Sequence, residues 1–209
     1  MGCDIHVMTE CRLSVKGEKR WINCDNWRYN RYYGDENERM MELVEIYGSR
    51  NYELFSFLAD VRNYGKNPSF GFDRGFPDDA SFATAQEYEA WGMDAHTPGY
   101  ATLSELKEKI SKVKKVRYEG AVLKEQAERY RNTGETPDAF CQGVGAWVGI
   151  APRYQDIYEW LVWEEKPYCF DQLMEAIEDR KRDVFYKYCP ESDDGSHDSD
   201  IRIVFWFDN

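Results

Sequence analysis

Histidine is scarce in this 209-residue chain, and each of its three copies has an aspartate within two positions: Asp4/His6, Asp94/His96 and His197/Asp198. On a β-strand, residues i and i+2 project from one face, so Asp4 and His6 can converge on one ligand. A carboxylate and an imidazole so placed can grip a divalent ion that polarises a phosphate and activates water. The second copy, Asp94-Ala95-His96-Thr97-Pro98-Gly99, reads as a Gly/Pro-containing loop before a capped helix, whose N-terminus favours an anion. Asp4, His6, Asp94 and His96 are therefore the expected metal ligands, provided that the fold brings the two copies together. The alternatives are a core histidine oriented by Asp4, and an Asx-type turn carrying a surface His96.

A third constellation, Arg74-Gly75-Phe76-Pro77-Asp78-Asp79-Ala80-Ser81, supplies an arginine, two carboxylates and a hydroxyl. Arg74 could clamp an anionic substrate as a fork, with Ser81 and Thr97 as further substrate contacts. Asp79 or Asp208 could complete the metal shell or act as general base. The alternative is a Pro-containing turn in which Asp79 or Ser81 caps a short helix running toward Trp91. Arg50 and Arg62 flank another helix, either as structural ion pairs or as anion ligands. His197 falls in the acidic stretch Glu191 to Asp200, whose spacing does not match a calcium loop and reads as a solvated connection. Strand alternation turns Cys3 away from His6, which argues against a thiol dyad there, whereas Cys141 in its Gly-rich context stays open as a nucleophile.

Residues 3–13 alternate as a half-buried strand, and a turn at Val15-Lys16-Gly17-Glu18 leads into Lys19 to Cys24 as a β-hairpin. Ile201 to Phe207 is β-branched and aromatic on both faces, as a central strand requires. Pairing it beside the hairpin brings Asp208 and Asn209 to one strand end. Helical periodicity marks Asn51 to Arg62, the Thr102-x-x-Glu105 capping box and its continuation, Tyr154 to Glu164, and Asp171 to about Tyr186. Gly, Pro and Asp cluster in Tyr64 to Ser81, Gly92 to Tyr100, Thr133 to Pro152 and Pro190 to Asp200, the expected irregular segments. The expected architecture is a single α+β domain over residues 1–209: a small, mainly antiparallel sheet of the N-terminal hairpin and C-terminal strand, covered by several helices.

A net charge of −12 argues against broad nucleic-acid binding, since Lys and Arg would have to neutralise phosphates across an acidic surface. Only Lys107 to Arg117 concentrates positive charge, as a solvated helix face. The six cysteines show no Cys-x-x-Cys spacing, and no apolar segment opens the chain, so reduced thiols in a cytoplasm are expected. No apolar run approaches the ~20 residues of a membrane helix.

Met1-Gly2-Cys3-Asp4-Ile5-His6, Arg50-Asn51-Tyr52-Glu53-Leu54-Phe55, Leu58 to Asn63, Arg74 to Ser81, Asp94-Ala95-His96-Thr97 and the terminal Arg202 to Asn209 together resemble a family of uncharacterised proteins encoded mostly by bacteriophages and prophages. The resemblance covers both ends and the middle to about residue 106. That family tends to carry Ser in place of Thr97, and a second Ser and a Trp near Gly99 and Tyr100. The resemblance implies an intracellular phage-related protein and transfers no activity. The residues themselves lead to a metal-dependent hydrolase of a phosphoester or nucleotide-like substrate. The alternative is a non-enzymatic acidic protein that binds a host protein or a small ligand. Oligomeric state and metal identity stay open.

Overall fold

A computed structural model describes residues 2–30, 40–138, 150, 154–187 and 193–208. The fold is α+β, and the chain divides into two compact units, residues 1–112 with 169–209, and residues 113–168. Cys141, Cys189 and Asn209 lie outside the described residues. Among the described residues, no helix is long and apolar enough to cross a membrane.

The first unit is built on a hairpin of β1 (Ile5–Val15) and β2 (Glu18–Asn23). Lys16 and Gly17 both take positive φ, 52° and 87°, the conformation that a two-residue hairpin turn demands. Further along the chain come a ribbon of β3 (Asn26–Tyr29) and β4 (Met41–Val44), helices α1 (Tyr52–Ala59) and α2 (Phe82–Trp91), strand β5 (His96–Thr102) and helix α3 (Leu103–Ser111). Helix α5 (Asp171–Phe185) and strand β8 (Ile201–Phe207) end the unit. The sheet order is β2-β1-β8-β5. As its two-faced apolar sequence requires, β8 is central and buried along its whole length. It pairs antiparallel to β1 from Ile5↔Phe207 to Cys11↔Ile201, which puts the start of β1 beside the end of β8.

Alternation gives each sheet face its own partner. Phe207 points toward α1, where its ring meets Phe55 edge-on. Met8 and Trp206 point the other way, against Leu43 of β4 and Ala83, Tyr88 and Trp91 of α2. The helices start where their caps dictate: Asn51 accepts from the Glu53 and Leu54 N–H groups, Ser81 from Thr84, and Thr102 with Glu105 forms the expected capping box.

Strand β5 corrects an expectation, because Gly92 to Tyr100 is not all loop. A bulge between His96 and Gly99 absorbs Thr97-Pro98, and the strand then resumes its pairing with β8. Gly99 is required by close approach, since a Cβ there would sit 2.1 Å from the Phe72 carbonyl oxygen and 2.6 Å from the Phe205 ring.

The second unit is an antiparallel ribbon of β6 (Val116–Leu123) and β7 (Tyr158–Glu165), with helix α4 (Lys124–Thr133) between them in sequence. Its core is Tyr118, Val122, Ala127, Leu161 and Trp163. The helix expected over Tyr154 to Glu164 is therefore a strand. Leu161 and Trp163 are buried while Val162 between them is exposed, a period of two, and cross-strand pairing with Gly120 and Tyr118 secures it.

Candidate functional site

The end of the sheet where β1 begins and β8 stops gathers Asp4, His6 and Asp208 on one face. Strand pairing carries one residue beyond β8: the Asp208 N–H donates to the Asp4 carbonyl at 3.2 Å, and Asp208 Oδ1 accepts from the Asp4 N–H at 2.9 Å. The expected neighbourhood of Asp208 at this strand end is thus present.

His6 is the centre of the cluster. Its Nδ1 lies 2.7 Å from Glu45 Oε1, and its Nε2 lies 3.4 Å from Asp208 Oδ2. Trp91 covers the imidazole with ring centroids 4.0 Å apart, and Trp206 stacks at 5.7 Å. The His6 side chain is 10% exposed, against 30% for Glu45 and 19% for Asp208, so the ring is enclosed and its carboxylate partners reach solvent. Burial alone pulls the imidazolium pKa down. The hydrogen bond and charge of Glu45, and then those of Asp208, more than reverse this, and His6 ends above its ordinary value of 6.5. A ring held between two carboxylates is a stored proton donor.

Asp4 does not face His6 as an open ligand. Arg50 grips it as a fork, Nε to Oδ1 at 2.7 Å and Nη2 to Oδ2 at 2.6 Å. That hydrogen-bonded pair holds the Asp4 carboxyl below the usual range. Arg50 thereby changes from a flanking residue to a member of the cluster.

The second Asp-x-His element lies elsewhere. His96 pairs across the sheet with Phe207 and stacks on its ring at 5.9 Å, whereas His6 pairs and stacks with Trp206. Phe207 and Trp206 are consecutive on one strand, so the two imidazoles lie on opposite faces. Two strand spacings also separate β1 from β5, about 9–10 Å. Asp4/His6 and Asp94/His96 therefore do not form one ligand set. Asp94 is exposed in a short 3-10 turn, Gly92–Asp94, that precedes β5. The Thr97 hydroxyl lies 3.0 Å from His96 Nδ1, and Thr97 takes φ 49°, a strained conformation for a β-branched residue. His96 Nε2 is buried without a hydrogen-bond partner among the described residues.

The remaining expected site residues pair with other side chains of the first unit. Arg74 forms a fork with Glu105, both bonds 2.8 Å, and stacks over Tyr100 with its guanidinium carbon 4.1 Å from the ring centroid. Asp79 accepts from Arg202 Nη1 at 2.8 Å. Ser81 caps α2, and its N–H donates to Glu10 at 2.7 Å. Glu10 and Arg202 are buried partners joined at 2.8 Å, with the Arg202 guanidinium over Trp21. His197 stacks on Phe185 at 4.2 Å and faces Asp200, a packing role.

Among the described residues, no three His, Cys, Asp or Glu side chains are grouped so as to hold a metal ion. The residue most consequential to His6 and missing from the sequence reading is Glu45. It follows β4 in a stretch with no motif, and only the fold brings it to β1, beside the Val7↔Tyr47 bridge. Trp91 was legible only as the end of a short helix. No family model matches the chain, and neither curated proteins nor solved structures yield a match.

Proposed function

We propose that the chain is a hydrolase acting on a phosphoester or nucleotide-like substrate, with His6 as its proton-transfer group. One observation carries this reading: the imidazole is anchored at Nδ1 by the short bond to Glu45, while the 3.4 Å contact at Nε2 is loose enough to exchange. A leaving-group oxygen takes the place of Asp208 at Nε2 and receives the proton, and Glu45 holds the ring in orientation throughout. In this reading Asp208, released from Nε2, accepts the proton of the attacking water. Arg50 supplies the anion contact by turning its fork from Asp4 to a phosphate. A divalent ion has a narrower place in this reading than the spacing of the histidines implied. Asp4 and Asp208 would hold it, because an imidazolium offers no lone pair.

The experiment is a turnover screen on phosphodiester, phosphomonoester and nucleotide substrates, with and without Mn²⁺, comparing the wild type with His6→Ala, Asp208→Asn and His96→Ala. Turnover lost in the first two variants and kept in the third supports the reading. A second reading, a non-enzymatic acidic protein that binds a small ligand or a host protein, draws on a different observation: Arg74, Asp79 and Ser81 serve internal networks that specify the fold. Saturable nucleotide binding in calorimetry without turnover would favour it.

A further inference from the structure

The four described cysteines are free thiols, and two of them are neighbours. Cys11 on β1 and Cys24, just past the end of β2, lie diagonally across the hairpin. The Cys11 thiol donates to Cys24 Sγ at 2.9 Å, and the Cys24 thiol donates to the Thr9 carbonyl at 3.5 Å. The Cys24 N–H also donates to Thr9 O at 2.9 Å, which fixes the backbone on the far side of the pair. Cys11 is fully buried and Cys24 half-buried.

We propose that Cys11 and Cys24 form an oxidisable dithiol, a covalent modification site that takes low-molecular-weight disulfides and closes to an intramolecular Cys11–Cys24 bond. The sulfur atoms need to approach by about 0.9 Å to reach the 2.03–2.05 Å of a disulfide. No segment has to unfold to bring them together. The asymmetry of exposure assigns the order of events. Cys24, as thiolate, attacks the small disulfide R–S–S–R and forms Cys24–S–S–R, releasing RS⁻. Cys11, as thiolate, then attacks the Cys24 sulfur, forms the protein disulfide and releases the second RS⁻. The two protein thiols give up two protons, which the two departing thiolates take, so one R–S–S–R is reduced to two R–SH as the pair is oxidised. The bond to Cys11, burial and the nearby Asp25 carboxyl all raise the Cys24 pKa, so closure is slow at neutral pH and accelerates as pH rises.

The test uses the full chain incubated with oxidised glutathione across pH 7 to 9, followed by tryptic mapping without reductant. The peptide Met1 to Arg12 carries both Cys3 and Cys11, and Trp21 to Arg28 carries Cys24. The expected product is these two peptides joined, lighter by two hydrogens than their sum, with fragmentation placing the bond at Cys11. Dithiothreitol reverses it, and Cys24→Ser, a change at the half-buried position, abolishes it. Cys11→Ser is expected to stop at a mixed disulfide on Cys24. A bond through Cys3, or both peptides recovered as free thiols after oxidation at pH 9, overturns the proposal.

Discussion

Replacing Glu45 by Gln keeps an acceptor beside His6 Nδ1 and removes only its charge, so the variant isolates the electrostatic part of the bond. The pair is 2.7 Å long, with the imidazole 10% exposed and the carboxylate 30% exposed. A hydrogen bond to a charged group contributes about 1.5–3 kcal/mol net. The exposure of Glu45, and the second carboxylate at Nε2, place the loss near 1.5 kcal/mol at low pH, roughly tenfold in the folded-to-unfolded ratio. The folded state holds the His6 proton more tightly than the unfolded chain does, since its pKa is raised. Stability from this source is therefore complete below 6.5, the ordinary value, and is lost as pH rises through the higher folded value. Urea denaturation of wild type and Glu45→Gln at pH 5.5 and pH 9 should give a difference near 1.5 kcal/mol at the first and well under 1 kcal/mol at the second. Proton NMR titration should show the His6 pKa falling in the variant. An equal destabilisation at both pH values, or an unmoved His6 pKa, would refute the view that Glu45 stores a proton on His6.

Other substitutions probe the rest of the framework. Glu10→Ala strips the fully buried partner from Arg202 and should cost about 3–5 kcal/mol in chemical denaturation, whereas Asp79→Asn, at the exposed end of the same guanidinium, should cost less than about 1 kcal/mol. Burial pushes the Asp25 carboxyl up to about 6, against hydrogen bonds from Thr9 and Asn23 that pull it down. Between pH 4 and 6 the folded state thus keeps a proton that the unfolded chain has shed, and stability from Asp25 falls as pH rises through that window. Asp25→Asn should remove that fall, gaining up to about 3 kcal/mol relative to wild type between pH 4 and 7 in urea melts. The amide introduced by that substitution keeps an acceptor for the Thr9 N–H.

The sheet end was legible because two local rules sufficed. Period-two alternation put Asp4 and His6 on one face, and the two-faced apolar run before Asp208 required a central strand that could pair with β1. The Thr102-x-x-Glu105 cap was legible outright and Ser81 as one of two candidates with Asp79, since each cap satisfies donors within three residues. What escaped depended on distance along the chain. Glu45 reaches His6 from 39 residues away, and Glu10 reaches Arg202 from 192. Arg74, Asp79 and Ser81 were recognisable as polar groups in a tight loop, yet nothing local showed that Glu105, Arg202 and Glu10 would absorb them. Tyr154 to Glu164 misled because Trp160 and Trp163, three apart, fit a helical stripe while Leu161 and Trp163, two apart, fit an alternating one, and the pairing partner that decides between them is β6. His96 misled in the opposite sense: Pro98-Gly99 reads as loop, and only the bulge shows how a strand accommodates it.

The most direct test of the central claim is the single-turnover rate of phosphoester cleavage by the wild type and by His6→Ala, Asp208→Asn and His96→Ala, each shown to be folded by circular dichroism. Removing one acid–base group costs about 10²–10⁴-fold in rate. The expected result is a loss of that size in His6→Ala and Asp208→Asn, with His96→Ala near wild type. Absence of cleavage by the wild type on every phosphoester tested, or a His6→Ala rate equal to wild type, would contradict a proton-transfer role for His6.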